Sequence, residues 1–417
     1  MKNFTQKEFV EYCEKARSEL DAQSETIVGY ATGICIHGRQ ELTVNDTLTV
    51  NWLAHTLDPT MDNTGYGLYK LVKEIDANAI VHDSKGEVVV NLTNTMVKGL
   101  LVCLAETTLS ETYMSLELIN NYLESEHFEE FAAENTIRYR MVLMKNITLP
   151  VETTEGGYFK LEALSTDKVI LRKDAINLDG LFGNLKRVGW VGNSPIELDW
   201  LEDNKMDLVA ANRYPALDSI DFLPRMIHKV VPNDRVRVLD SSKVRYGAQL
   251  AAGTVVMPGA SYVNFNAGTL GAVMNEGRIS SSAVVGAGSD VGGGASILGV
   301  LSGTDGYPIT IGENVLLGAN SVTGISLGDG CIVDAGIAIL PGTKISMSLK
   351  DRSAIAEINS ADIFDLAGYH VDTDGTAYHK CKNLGTLKGI HYRMDTSTGN
   401  MIAKRSSKEI KLNENLH

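Results

Sequence analysis

The sequence predicts a mixed α/β N-terminal region, then a left-handed parallel β-helix, then a small C-terminal cap. Three observations carry that prediction. Apolar residues recur at every sixth position between about 234 and 345, glycine is dense across the same tract, and the beat is absent on both sides of it.

Residues 1–233 read as the α/β domain. Helical patterns cover 5–22 and 110–134, and the second ends in the acidic "ESEHFEEFAAE", a solvated helix face. The strand candidates are "ETIVGYATGICI", "EVVVNL" and "KVILR", rich in β-branched residues.

Residues 234–345 carry the beat. Val244, Leu250, Val256 and Tyr262 lie six apart, as do Ile279, Val285, Val291 and Ile297. After the interruption "GVLSGTDGYPIT" it returns at Ile311 and Leu317, then at Leu327, Val333, Ile339 and Ile345. A period of six is neither helical nor a hairpin alternation; it marks a solenoid in which each hexad supplies one short strand and one corner. The aliphatic residue points into a triangular prism, and glycine serves tight corners. Such coils bury their core only by stacking, and their open ends need caps. Residues 346–417 lose the beat and form the expected cap: "SAIAEINSADIFDLAGY" reads as a short helix and "GIHYRMDTSTGNMIA" as a hairpin turning at "TSTGN".

A length of 417 residues suits two or three folding units, and a net charge of -14 argues against a general nucleic-acid binder. Cys13, Cys35, Cys103, Cys331 and Cys381 form no C-x-x-C pair and read as free thiols in a reducing compartment. The charged start is not a secretory signal, and no apolar run approaches the roughly 20 residues of a membrane span, so a cytoplasmic protein is expected.

Histidine usage narrows the chemistry. None of the nine histidines lies between 229 and 369, so the coils themselves cannot build a three-histidine zinc site or supply a histidine base. Acid–base work on the prism falls to carboxylates: Asp240, Glu276, Asp290, Asp305, Glu313, Asp329 and Asp334. Glu313 and Asp329 follow corner glycines and read as solvated turn residues. Glu276 differs, because the register slips beside it: Met274 is the next inward position by count, yet the following one is Ile279. Arg278 could anchor an anion, or simply pair with Glu276 on the surface. "VGAGSDVGGGASILG" lacks the G-x-G-x-x-G spacing and a following helix, so no dinucleotide site is expected.

"SYVNFNAGTLGAVMNEGRISSSAVVGAGSDVGGGASILGVLSG" followed by "LLGANSVTGISLGDGCIVDAGIAI" closely resembles the tetrahydrodipicolinate N-succinyltransferases, in their long-chain branch. The resemblance covers roughly 236–345. It implies succinyl transfer from succinyl-CoA, as co-substrate with no tightly bound cofactor, to the amino group of tetrahydrodipicolinate in its acyclic form, 2-amino-6-oxopimelate, on the succinylase route to diaminopimelate and lysine. It implies Glu276 as the catalytic residue, either taking the acyl group as a mixed anhydride or acting as general base. It places Arg278, Gly293, Ser296, Ala319, Asp334, Ala335 and Gly342 along the CoA groove, and Asn264 and Asn266 toward the acceptor. It also implies a homotrimer with sites between neighbouring prisms. The magnesium that some long-chain members hold is not expected, because "AAGTVVMPGAS", before the V-N-F-N motif, has no carboxylate.

Both substrates are anionic, so Arg237, Lys243, Arg245 or Arg278 should lie nearby. The alternatives are another acyl donor such as acetyl-CoA, another amino acceptor, or a non-catalytic hexapeptide scaffold. A fused sugar-nucleotide pyrophosphorylase is disfavoured, since no Gly-rich nucleotide loop follows the first strand.

Overall fold

A computed structural model describes residues 2–22, 26–38, 47–57, 63–125, 137–232, 235–300, 304, 306–359 and 370–407. They form two units, Met1–Ala163 with Ala175–Pro224, and Leu164–Asp174 with Arg225–His417.

In the first unit, β1 (Gly29–His37), β2 (Thr47–Leu57), β3 (Ile80–Asp83), β4 (Glu87–Asn91) and β5 (Ile137–Met144) make an antiparallel sheet ordered β2-β1-β5-β4-β3. Side chains alternate across a strand. Val88, Val90, Met141 and Leu143 therefore pack with α1 (Gln6–Asp21), α2 (Thr64–Asp76), α3 (Asn94–Leu104) and α4 (Ser110–Leu123). Val89, Val142 and Met144 face Phe159 of α5 (Thr154–Ser165) on the other side. The sheet is covered on both faces, which is why "EVVVNL" reads as an unbroken apolar run. Thr5 and Glu8 open α1 with a capping box. The expected second helix begins where predicted; the acidic run from 126 onward lies outside the described residues. A small sheet of β6 (Val188–Val191), β7 (Ser194–Glu197) and β8 (Ser219–Asp221) completes the unit.

Glu87 is a charge misfit in this core. Its Oε1 accepts a hydrogen bond from the Thr153 hydroxyl at 2.7 Å, while Oε2 is buried without a partner. Burial raises its pKa above the ordinary carboxylate value. A carboxyl raised in the folded state contributes full stability below its unfolded pKa and loses it as pH rises through the folded one. Glu87→Gln keeps the acceptor for Thr153 and removes the charge. It should raise stability by about 1–3 kcal/mol near pH 8, with the gain vanishing near pH 4, as read by denaturant melts at both pH values.

The second unit is the predicted solenoid. Its first face stacks β9 (Arg237–Val238), β11 (Val255–Val256), β14 (Met274–Asn275), β17 (Asp290–Val291), β20 (Leu316–Leu317) and β22 (Ile332–Val333). Its second stacks β12 (Tyr262–Val263), β15 (Arg278–Ile279), β18 (Ser296–Ile297), β21 (Val322–Thr323) and β23 (Ala338–Ile339). Its third stacks β10 (Gln249–Leu250), β13 (Gly268–Thr269), β16 (Val284–Val285) and β19 (Thr310–Ile311). All these neighbours pair in parallel.

Two inward positions differ from the hexad count. Val263 is fully buried and Tyr262 only partly, so the step from Val256 is seven residues. Asn275, not Met274, is inward, and the step to Ile279 is four. A second four-residue step runs from Thr323 to Leu327. A search for aliphatics passes over Thr269, Asn275 and Thr323, all inward and buried. Most full corners hold a left-handed residue three places after the inward one, including Gly253, Gly259, Asn266, Gly288, Gly294, Asn320 and Gly336. Glycine and asparagine reach that conformation at least cost.

"KVILR" is not a strand. Gln249, buried on β10, grips it instead: Oε1 accepts from the Leu171 N–H at 2.9 Å and Nε2 donates to Val169 O and Asp167 Oδ1. Side-chain hydrogen bonds and the burial of Val169 and Leu171 hold the segment to the third face without a ladder.

The cap comprises β24 (Lys344–Ser348), the helix Leu349–Ile358, β25 (His370–Val371), β26 (Thr376–Lys380), β27 (Ile390–Met394) and β28 (Met401–Arg405). The expected hairpin is β27–β28, antiparallel as read. The latter part of "SAIAEINSADIFDLAGY" lies outside the described residues. The tail has no hexads, yet β27 pairs in parallel with β22, and β28, β24, β26 and β25 continue the first-face sheet beyond it. All five cysteines are free and buried. No helix among the described residues is long and apolar enough to cross a membrane.

Candidate active site

Glu276 sits on the four-residue corner joining the first and second faces. Its backbone is clamped to the next coil, with its N–H donating to Val291 O at 2.8 Å and its carbonyl accepting from the Gly294 N–H at 3.2 Å. The side chain is half-buried and has no ion-pair or hydrogen-bond partner among the described residues. The surface Glu276–Arg278 pair weighed from sequence is therefore not formed. A methyl placed on Gly293 would lie 3.5 Å from Glu276 Oε2, so the carboxylate faces that bare corner.

The same edge continues coil by coil. Asn320 N–H donates to Gly293 O, and Gly336 N–H to Ala319 O. A Cβ on Gly292 would meet Leu317 O at 2.6 Å, and one on Gly318 would meet Ala335 N at 2.5 Å. Glu276, Gly293, Ala319, Asp334 and Ala335 thus line one edge of the prism. Its smoothness follows from coils stacked too closely at Gly292 and Gly318 to admit side chains.

Arg278 and Ser296 lie around that edge on the second face, where they are ladder partners, and Arg278 Nε donates to Ser296 Oγ at 3.4 Å. Asn264 and Asn266 are not brought to Glu276. They occupy the next corner, between the second and third faces, and Asn264 Oδ1 accepts from Arg245 Nη1 at 3.3 Å. Gly342 lies on the turn between β23 and β24, also beyond the second face. Of the other cations, Lys243 lies 3.9 Å from Asp240 and Arg237 is exposed on β9. Among the remaining carboxylates, Asp329 is held below its usual pKa by Lys388 and accepts from the Glu313 N–H. Asp305 lies outside the described residues.

The sequence reading missed two residues. Asp334 does not present a bare carboxylate: its Oδ1 is 2.6 Å from His391 Nε2 and its Oδ2 is 3.8 Å from Arg393 Nε. Both partners come from β27. The histidine-free interval is real, but strand addition carries a histidine onto the groove edge. The signal available was the hairpin's own charge, "HYR". No group of three His, Cys, Asp or Glu side chains able to hold a metal occurs among the described residues.

A parallel β-helix with hexad corners, a glycine-lined edge and one unpaired carboxylate defines the hexapeptide-repeat acyltransferase class. Comparison with known proteins narrows it. Residues 62–183 match the family described as tetrahydrodipicolinate N-succinyltransferase N-terminal, and 308–341 match the hexapeptide repeat of succinyl-transferase. The 2,3,4,5-tetrahydropyridine-2,6-dicarboxylate N-succinyltransferase of Sulfurimonas denitrificans is 40% identical over 98% of this chain and 100% of its own. That of Nitratiruptor sp. is 50% identical over 75% of each chain. A Campylobacter jejuni crystal structure, described as a 2,3,4,5-tetrahydropyridine-2-carboxylate N-succinyltransferase, superposes with a TM-score of 0.81 at 38% identity, covering 98% of this chain and 99% of its own. The chain belongs to the tetrahydrodipicolinate N-succinyltransferase family.

Proposed function

We propose that this protein moves succinyl from succinyl-CoA to the amino group of 2-amino-6-oxopimelate, the acyclic form reached when water opens tetrahydrodipicolinate, in the succinylase route to diaminopimelate and lysine, with Glu276 as the reacting carboxylate. The observation that supports this role is its unpaired side chain at the contracted corner, facing the bare Gly293 edge. Aminolysis of a thioester requires the amine nitrogen to bond to the carbonyl carbon, the C–S bond to break and the ammonium proton to leave. Glu276 accepts that proton and the CoA thiolate takes one up. In the covalent variant a Glu276 oxygen attacks first, the thiolate leaves, and the amine then opens the mixed anhydride. Acid-quenched turnover with labelled donor and no acceptor separates the two: a labelled protein supports the anhydride, and its absence supports the base.

The groove edge suits an extended pantetheine arm. From the Glu276 coil to β27 is four strand spacings, about 19 Å at roughly 4.8 Å each. An extended arm counted as about five amide-length units of ~3.5 Å reaches a similar distance. Arg393 and His391, oriented by Asp334, then meet the phosphates of the donor, and Arg278 with Ser296 flanks the acyl end. Arg393→Gln should raise KM for succinyl-CoA about three- to tenfold, with less effect for the phosphate-free succinyl-pantetheine thioester and little on kcat. Equal effects on both donors would remove the phosphate assignment.

Asn264, Asn266 and Arg245 lie one corner away from Glu276, which favours an acceptor site completed by a neighbouring prism in a homotrimer. Five buried free thiols fit a reducing cytoplasm. The test of donor identity is CoA release with tetrahydrodipicolinate: succinyl-CoA should be used far better than acetyl-CoA, and the reverse preference would overturn the proposal.

A further inference from the structure

Several full corners are closed by a backbone hydrogen bond across the turn, as from Ala295 N–H to Gly292 O, Ser321 N–H to Gly318 O and Thr254 N–H to Ala251 O. The four-residue corner at Glu276 has neither such a bond nor a left-handed residue among those described. In its place Asn275 Oδ1 accepts from the Gly277 N–H at 3.3 Å. Asn275 is fully buried between Val256 and Val291, and its Nδ2 has no partner among the described residues. An aliphatic residue there would continue the column and remove the unpaired amide, but it would leave the buried Gly277 N–H without its acceptor. The other four-residue corner also opens on a buried polar residue bonded two places on, with Thr323 Oγ1 donating to Ile325 O.

We infer that Asn275 is a positioning residue that sets the aim of Glu276, because its side chain closes the contracted corner. The inference rests on Glu276 as the reacting carboxylate. Gly277 shows why the corner has no slack: a Cβ there would lie 2.4 Å from Ala295 O. The Asn275 carbonyl therefore fixes the one N–H between Glu276 and Arg278 that can turn the chain, and small rotations at this point swing the carboxylate away from its substrate.

The test uses Asn275→Val and Asn275→Asp in the full chain, with Glu276→Gln as control. Asn275→Val exchanges the unpaired Nδ2 for an unpaired Gly277 N–H, so it should melt within a few degrees of the wild type, lose about tenfold or more in kcat and keep KM for succinyl-CoA within about twofold. Asn275→Asp retains an acceptor for Gly277, so it should melt lower yet turn over faster than the valine variant. Wild-type kcat in Asn275→Val, or activity that merely follows melting temperature in both variants, overturns the inference while leaving Glu276 in place. An active Glu276→Gln removes the carboxylate's role, and the inference falls with it.

Discussion

Glu276→Gln is expected to lower kcat by about a thousandfold while leaving KM for succinyl-CoA nearly unchanged. The amide matches the carboxylate in size, so the corner, held by backbone bonds to Val291 and Gly294, has no cause to move. What is lost is proton acceptance or nucleophilicity, and positioned acid–base groups contribute typically 10²–10⁴-fold. On the proposed placement of the donor along the glycine edge, its affinity should be spared. Glu276→Asp keeps the charge one methylene short and should recover part of the rate. Steady-state kinetics on both variants, with melting curves to exclude misfolding, checks this. A glutamine variant within tenfold of wild type would move the chemistry to another residue.

Tyr392→Ala is expected to destabilise the second unit by about 3–5 kcal/mol. Tyr392 is fully buried, with Val333 of β22 beside it on one side and Ala403 of β28 on the other, where the cap joins the first face. Truncation opens the prism's end over Val333, and solenoid coils without a cap lose the neighbour that buries them. Tyr392→Phe should behave oppositely, gaining about 1 kcal/mol, because the hydroxyl is buried with no hydrogen-bond partner among the described residues. Denaturant melts of the two variants test the pair. The alanine variant should also bind succinyl-CoA more weakly, since β27 carries His391 and Arg393 to Asp334. Loss of stability without loss of donor affinity would separate the cap from the groove.

Much of this was legible in the chain. The six-residue beat marked the prism because inward burial repeats locally, and an aliphatic residue announces it wherever one is used. The beat failed where polar residues took inward places: Asn275 and Thr323 satisfy contracted corners with side-chain bonds, which no hydropathy pattern records. Tyr262 kept the count but not the burial, since one extra residue before Val263 shifts the strand. "KVILR" had strand composition, and Gln249 overrode it from a distant part of the sequence.

Sequence by itself determined the solenoid, the scarcity of coil carboxylates and the singular setting of Glu276, because these depend on spacing and residue type along a repeating chain. Tertiary structure alone decided that Asp334 is occupied by His391 and Arg393, that Asn264 and Asn266 stand one corner away from Glu276, and that the tail extends the first face. Each of those rests on parallel pairing between segments far apart in sequence, and that pairing is set by which edge remains unfilled rather than by local pattern.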